Sequence, residues 1–241
     1  MKEYLTTRGV EFDAINVQMD PAALDELDEI GVRTIPVVRH GDDYVIGMSL
    51  EAVDEFLGLD TSQLGPDPDP AELVARIGRV MRLAVDYGRQ LPSEQYHTRI
   101  PGRDRSYLEL VAHIVGHSGR FTALAATPGT DYSDVSRFEP LGQPPADASV
   151  VELATCADQI QGELEAWWAA GPDLSTPTST HFGDQTLGWM LLSTAYSVVQ
   201  HTRQLAAVLQ MLDIEPDGEL TGAELQNLGV PRGIWDEAVP D

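Results

Sequence analysis

Residues 61–70 form a proline-rich break in the chain, with prolines at positions 66, 68 and 70. Proline has no backbone N–H and clashes with the preceding turn, so this stretch cannot continue a helix or a central strand. Short β-rich runs alternate with helical segments before the break, whereas only long helical periodicities follow it. The sequence therefore predicts an α+β protein. A small, incomplete α/β domain at residues 1–60 and a linker at residues 61–70 precede an all-α four-helix bundle at residues 71–241.

Charge and cysteine content exclude several kinds of function. The chain has 39 acidic and 15 basic residues and a formal charge of −24. Phosphate backbones and anionic lipid surfaces would repel it, so we expect neither nucleic-acid nor membrane binding. Cys156 is the only cysteine, which rules out an internal disulfide and a zinc site built from thiolates. Because residues 1–4 do not resemble a secretory signal, we expect a cytoplasmic location.

The first 60 residues carry six predicted elements in the order α-β-α-β-β-α. Asp20 and Ser49 are suited to cap helices, and Pro21 fits a first helical turn. Gly41 and Asp42 indicate a hairpin turn. The predicted elements are helix 2–8, strand 10–17, helix 21–29, strand 34–39, strand 44–46 and helix 50–57.

This order, together with Gly-Val-Arg-Thr-Ile-Pro-Val-Val at residues 31–38, resembles the glutaredoxin family over residues 1 to about 59. The resemblance implies that Thr34, Ile35 and Pro36 pair with a bound low-molecular-weight thiol, with a cis bond between Ile35 and Pro36. The alternative is a trans proline on an edge strand. The family's first strand and Cys-x-x-Cys motif are missing. Residues 1–60 contain no thiol nucleophile, so we expect no redox catalysis from this domain.

Four long helical segments follow the break and predict a four-helix bundle. The connection at residues 127–148 is long, which is typical of a crossover or of a lid over one end of a bundle. The predicted helices cover residues 71–91, 105–126, 149–170 and 184–212.

Three histidines of these helices are candidate metal ligands. His113 and His117 are four residues apart, so their imidazoles share one face of the second helix, as in helical zinc sites. The same spacing would also arise from an incidental polar edge. His201 lies on the apolar stripe of the last helix, where a buried imidazole needs hydrogen-bond partners or a metal. Glu109 could accept a hydrogen bond from His113, but a solvated helix face is the simpler interpretation.

The helical part resembles the DinB/YfiT-like superfamily over residues 70–238. The similar stretches are Tyr-Leu-Glu-Leu-Val-Ala-His-Ile at residues 107–114, Gln-His-Thr-Arg-Gln-Leu at residues 200–205, and the closing segment at residues 212–235. In that family, one divalent metal ion, often zinc or nickel, is bound by a histidine of the second helix and an H-x-x-x-H pair of the last helix.

Not all of the ligands that this resemblance implies are present. His113 matches the first ligand and His201 matches the second member of the pair, but Ser197 stands at the position of the first member. We infer that His117 could replace the missing ligand, because it lies one turn from His113. An empty, vestigial pocket and some other ligand set remain as alternatives.

Two functions from different classes follow from these patterns. The DinB/YfiT-like family includes S-transferases and isomerases that use mycothiol or bacillithiol, which suggests a metal- and thiol-dependent transferase acting on a small molecule. Alternatively, the chain is a non-catalytic binding or stress-associated module with a degenerate metal site. A homodimer formed through bundle helices is a third expectation.

Overall fold

The computed structural model describes residues 1–15, 17, 20–32, 35–61, 68–101, 105–180, 183–230 and 234. A small two-stranded sheet with helices near the N-terminus precedes a mostly helical region, which confirms the predicted α+β class. The elements are α1 (Lys2–Thr7), α2 (Pro21–Glu29), β1 (Val37–His40), β2 (Asp43–Ile46), α3 (Leu50–Leu57), α4 (Pro70–Gln90), α5 (Tyr107–Ala125), α6 (Val135–Phe138), α7 (Val150–Ala169), β3 (Pro177–Thr180), β4 (Gly183–Thr186), α8 (Leu187–Met211) and α9 (Gly222–Leu225).

The N-terminal part is built on the β1–β2 hairpin. Its strands are antiparallel, with Val38 opposite Val45. Leu5 of α1, Val38 of β1 and Val53 of α3 are buried and form an apolar cluster that is distinct from the core of the helical region. The division into two domains with a boundary at residues 61–70 stays a prediction, and residues 62–67 lie outside the described part.

The strand predicted at residues 10–17 is wrong wherever the structure describes that segment. Residues 10–15 and Val17 lie outside any strand, and residues 11–15 are exposed. A strand requires a neighbouring edge for its ladder hydrogen bonds. β1 and β2 pair with each other, and no described strand pairs with this segment. The sequence pattern of residues 10–17 alone was therefore not sufficient to identify a strand.

A fully buried carboxylate anchors α3 to α1. Asp54 has no exposed surface, and its Oδ1 accepts a hydrogen bond of 2.6 Å from the Tyr4 hydroxyl. The Arg8 guanidinium forms an ion pair of 2.8 Å with Asp54 Oδ2. Burial and the nearby Asp54 carboxylate raise the pKa of Tyr4. This cluster fixes the two helices that flank the small sheet.

The four long helices form the predicted bundle. Within it, α4 and α5 each pack against both α7 and α8, so that α7 and α8 face each other across a diagonal. The largest fully buried side chains of the bundle core are Tyr87, Phe121, Phe138, Ile77, Met81, Leu110, Ile114, Leu153, Leu164, Leu191, Leu205 and Leu209. Among the described residues, no helix combines the length and apolarity that a bilayer crossing requires.

A second hairpin precedes the last bundle helix, where the sequence predicted helix from residue 184. β3 and β4 pair antiparallel, with Thr178 opposite Gln185, and the helix begins only at Leu187. Thr186 ends the strand and caps the helix, because its hydroxyl accepts the Trp189 N–H at 3.1 Å. Threonine suits both roles, and this is why the boundary lies three residues later than predicted.

The long connection between α5 and α7 packs along the C-terminal half of α5. The Gly142 carbonyl lies so close to Gly119 that a Cβ at Gly119 would clash with it. The Gln143 amide donates to the Gly116 carbonyl at 3.4 Å, and Arg120 donates to the Glu139 carbonyl at 3.2 Å. The connection thus covers the flank of α5 that follows the histidine pair.

Candidate metal site

The N-terminus of α5 is fixed by a reciprocal cap. The Ser106 hydroxyl accepts the Glu109 N–H at 3.3 Å, and the Glu109 carboxylate accepts the Ser106 N–H at 2.6 Å. These bonds satisfy backbone donors that have no partner within the helix, and they lower the pKa of Glu109. Glu109 therefore caps the helix. The sequence analysis had considered it either as a hydrogen-bond acceptor for His113 or as part of a solvated helix face, and not as a cap.

The structure brings the three predicted histidines together. His113 and His117 lie on successive turns of α5, and His201 faces them from α8. The Nε2 atoms of His113 and His117 are 3.0 Å apart. The His201 ring centroid lies 4.7 Å from that of His113 and 5.7 Å from that of His117. One nitrogen from each ring falls within 4.8 Å of the others.

All three imidazoles are half-buried, although the sequence placed His201 on a buried stripe. The neighbours on its own helix, such as Leu205 and Val208, are buried as predicted. His201 lies at the edge of that stripe, where α8 meets α5. A half-buried ring packs partly against its neighbours and can still be reached by a small ligand.

The surroundings keep two of the rings neutral. Burial lowers the pKa of His113, and the neighbouring His117, His201, Arg105 and Arg120 lower it further. Burial likewise lowers the pKa of His117 well below its usual value, with contributions from His201, Arg120 and Arg105. Metal ions bind neutral imidazole, because the ligand nitrogen must offer a lone pair. These two rings can therefore bind a cation without first losing a proton.

The spacing of the nitrogens fits a single metal ion. With zinc–nitrogen bonds of about 2.0–2.1 Å, neighbouring ligand nitrogens of a tetrahedral site lie ~3.3 Å apart. The His113–His117 separation of 3.0 Å is close to that value, and one nitrogen of each of the three rings lies within 4.8 Å of the others. Three imidazoles leave a fourth position open, as catalytic zinc sites do.

Gln204 of α8 contacts His201, and Gln200 shares a backbone acceptor with Gln204. Both lie in the quoted stretch at residues 200–205, in which the sequence analysis assigned no role to either of them. The Nδ1 atom of His201 lies 2.9 Å from Gln204 Oε1. The side-chain amides of Gln204 and Gln200 both donate to the carbonyl oxygen of Ile234, at 3.4 Å and 3.3 Å. The spacing of three residues between His201 and Gln204 was the available signal, since residues i and i+3 are neighbours on a helix.

The other predicted positions are placed as follows. The bond between Ile35 and Pro36 is cis, and the Pro36 carbonyl accepts the Gly47 N–H at 2.8 Å. Ile35 is exposed and Pro36 is half-buried, while Thr34 lies outside the described residues. Ser197 is half-buried on α8, one turn before His201.

The helical region also touches the turn that follows β2 in the N-terminal part. The Gly229 N–H donates to the Met48 carbonyl at 3.1 Å. Gly229 lies so close to the Gly47 carbonyl that a Cβ at Gly229 would clash with it. Two residues of the turn that follows β2 therefore pack directly against the segment after α9.

Comparison with known proteins supports one of the two resemblances. The glutaredoxin family model matches residues 1–45, which is less than half of the chain. A search of curated proteins finds no match. The similarity to DinB/YfiT-like proteins rests on the residues quoted above. The N-terminal segment is thus similar to glutaredoxins, and the helical region carries a histidine cluster with the spacing of a metal site.

Proposed function

We propose that the protein binds one divalent metal ion, zinc or nickel, through His113, His117 and His201. The observation that carries this proposal is the convergence of three imidazoles from two helices, with one nitrogen of each within 4.8 Å of the others. The lowered pKa values of His113 and His117 support it, because neutral rings bind a cation directly.

The open fourth position suits a low-molecular-weight thiol, so we propose a DinB-like, thiol-dependent S-transferase. A bound divalent ion would lower the pKa of such a thiol and supply a thiolate nucleophile at neutral pH. His113, His117 and His201 hold the ion, and the half-buried site limits access of water. The glutaredoxin-like segment agrees with a thiol ligand, and Thr34, Ile35 and Pro36 are the residues proposed to contact it.

A second candidate is a non-catalytic binding module. Ser197 replaces a ligand that the DinB/YfiT-like pattern requires, and the 3.0 Å contact lets His113 and His117 satisfy each other without a metal. Under this alternative, the cluster is a polar contact between α5 and α8 and has no catalytic role.

Metal titration separates the two candidates. Purified, chelator-treated protein is titrated with Zn²⁺, Ni²⁺ and Co²⁺ by calorimetry, and bound metal is measured by mass spectrometry after desalting. We expect one equivalent in the wild type and less than about a tenth of an equivalent in His201→Ala and His117→Ala, because two imidazoles hold zinc poorly. His97→Ala is the control, since His97 is an exposed loop residue. Equal metal content in all four proteins, or none in the wild type, would favour the second candidate.

The open position is tested on the cobalt-loaded protein. Mycothiol, bacillithiol and glutathione are added separately, and a thiolate-to-cobalt charge-transfer band is sought in the near ultraviolet. We expect a band with at least one thiol, which His113→Ala removes. Absence of a band with all three thiols would leave a metal-binding protein and remove the transferase. Light scattering on the same samples tests the homodimer that the sequence led us to expect.

A further inference from the structure

The hydrogen bonds around His201 define the orientation of the Gln204 amide. The Ile234 carbonyl oxygen can only accept a hydrogen bond, so the atom of Gln204 that faces it at 3.4 Å is the donating Nε2. The Oε1 atom then faces His201 Nδ1 at 2.9 Å. Because Oε1 can only accept, Nδ1 carries the hydrogen of this bond.

Gln200 contacts the same carbonyl from one turn earlier, without touching the imidazole. Its Nε2 donates to the Ile234 carbonyl at 3.3 Å, and its Oε1 accepts from Arg203 Nη1 at 2.9 Å. The guanidinium can only donate and the carbonyl can only accept, so the Gln200 amide also has one orientation. The Ile234 carbonyl is thus held by two amides, of which only that of Gln204 contacts the imidazole.

We propose that Gln204 is a positioning residue of the histidine site, and that it holds His201 as the Nδ1–H tautomer so that Nε2 offers its lone pair to the metal ion. This proposal rests on the proposed metal function. A ligand imidazole whose other nitrogen donates to a fixed acceptor has a defined ring orientation and higher basicity. Loss of such an acceptor typically weakens metal affinity by about 10–100-fold.

The positioning role is tested first on the metal-free protein. The tautomer of His201 is read from ¹⁵N chemical shifts of the full-length, histidine-labelled protein in chelator at pH 8. We expect the Nδ1–H tautomer in the wild type and a shift toward the Nε2–H tautomer in Gln204→Met, which keeps the side-chain length and removes the acceptor. Gln200→Met is the matched control, because it loses the same carbonyl contact and does not touch the imidazole. A wild-type tautomer in Gln204→Met would overturn the proposal.

Metal affinity and a conservative variant complete the test. We expect Gln204→Met to bind Zn²⁺ about 10–100-fold more weakly than the wild type, with Gln200→Met unchanged. Gln204→Glu should bind Zn²⁺ about as tightly as the wild type, because a carboxylate still accepts the Nδ1 hydrogen although it no longer donates to Ile234. If Gln200→Met lost as much zinc affinity as Gln204→Met, or if Gln204→Glu bound zinc as weakly as Gln204→Met, the contact with the Ile234 segment would be what determines the affinity. If the wild type binds no metal, the proposed function fails, and the tautomer measurement still decides the role of Gln204.

Discussion

The Nε2 atoms of His113 and His117 face each other across one turn of α5 at 3.0 Å. At this distance, a single hydrogen can lie between the two nitrogens, donated by one neutral ring to the lone pair of the other. Two hydrogens would repel each other, and so would two cationic rings. The geometry therefore agrees with the lowered pKa of both side chains. A metal ion bound by both Nε2 atoms would require the donating ring to carry its hydrogen on Nδ1 instead.

The free energy of unfolding of the metal-free protein should decrease as the pH is lowered below about 6.5, the usual pKa of histidine. In the unfolded chain both histidines take up protons near that pH, whereas in the folded protein burial keeps their pKa lower. Above pH ~6.5 both rings are neutral in the folded and the unfolded chain, so they do not affect stability. Below that pH, proton uptake by each ring in the unfolded chain lowers the free energy of unfolding by up to about 1.4 kcal/mol per pH unit. Urea unfolding in chelator at pH 7.5, 6.5 and 5.5 measures this dependence.

Two variants identify the source of that pH dependence. The double variant His113→Gln/His117→Gln should lose much of the decline in unfolding free energy below pH ~6.5, because glutamine does not titrate. His97→Ala, at an exposed position, should keep the wild-type slope. If the double variant and the wild type declined in parallel, other groups would be responsible, and the lowered pKa values would not describe the protein.

Ser197→His should restore the missing ligand of the metal site. Residue 197 lies one turn before His201 on α8, so an imidazole there reaches the same face of the helix. We expect zinc affinity to rise by about tenfold or more, which is ~1.4 kcal/mol. The fourth nitrogen should also close the open position and abolish the thiolate band of the cobalt-loaded protein. Competition with a coloured chelator measures the affinity, and Ser197→Ala should leave it unchanged.

The bundle and its histidines could be predicted because helical periodicity places residues reliably on one face. Spacing of four residues put His113 and His117 together, and the apolar stripe of the last helix directed His201 toward the interior. The convergence of two different helices is a tertiary property. It followed from the DinB/YfiT-like resemblance and not from the pattern of either helix alone.

The features that the sequence analysis missed depend on partners that are distant in the chain. Residues 10–15 were predicted as part of a strand and yet lie outside any strand, because a strand exists only where its backbone pairs with that of a neighbouring strand. Residues 184–186 were predicted as the start of a helix, but they pair with β3 as part of a hairpin. Gln204 lies in the quoted stretch at residues 200–205, but its role depends on the Ile234 carbonyl, thirty residues later.

The buried Asp54 carboxylate should dominate the stability of the N-terminal part. Asp54→Ala removes the acceptor of the Tyr4 hydroxyl and the partner of Arg8, which should cost about 3 kcal/mol. Tyr4→Phe loses only one hydrogen bond and should cost ~1 kcal/mol. Hydrogen exchange of the α3 and β1 amides measures the loss locally. Glu55→Ala is the control, because this neighbouring side chain is exposed, and an equal effect there would contradict the assignment.

The contact between Gly119 and Gly142 should be the most sensitive point of the flank beside the histidines. An alanine Cβ at position 119 would clash with the Gly142 carbonyl, and Gly142 has a positive φ of 59° that other residues adopt at a cost. The connection must therefore move away from α5 to admit Gly119→Ala. We expect a loss of about 1–3 kcal/mol in unfolding free energy, measured by urea denaturation.

Gly162→Ala provides the matched control for that prediction. Gly162 lies within α7 on an exposed face, and a Cβ there would meet no atom within 4 Å. The same change should therefore stabilise the protein by about 0.5–1 kcal/mol, since alanine loses less backbone entropy in a helix. Opposite signs for the two glycines would support close packing of the connection on α5. A neutral or stabilising Gly119→Ala would mean that this segment does not pack against the helix in solution.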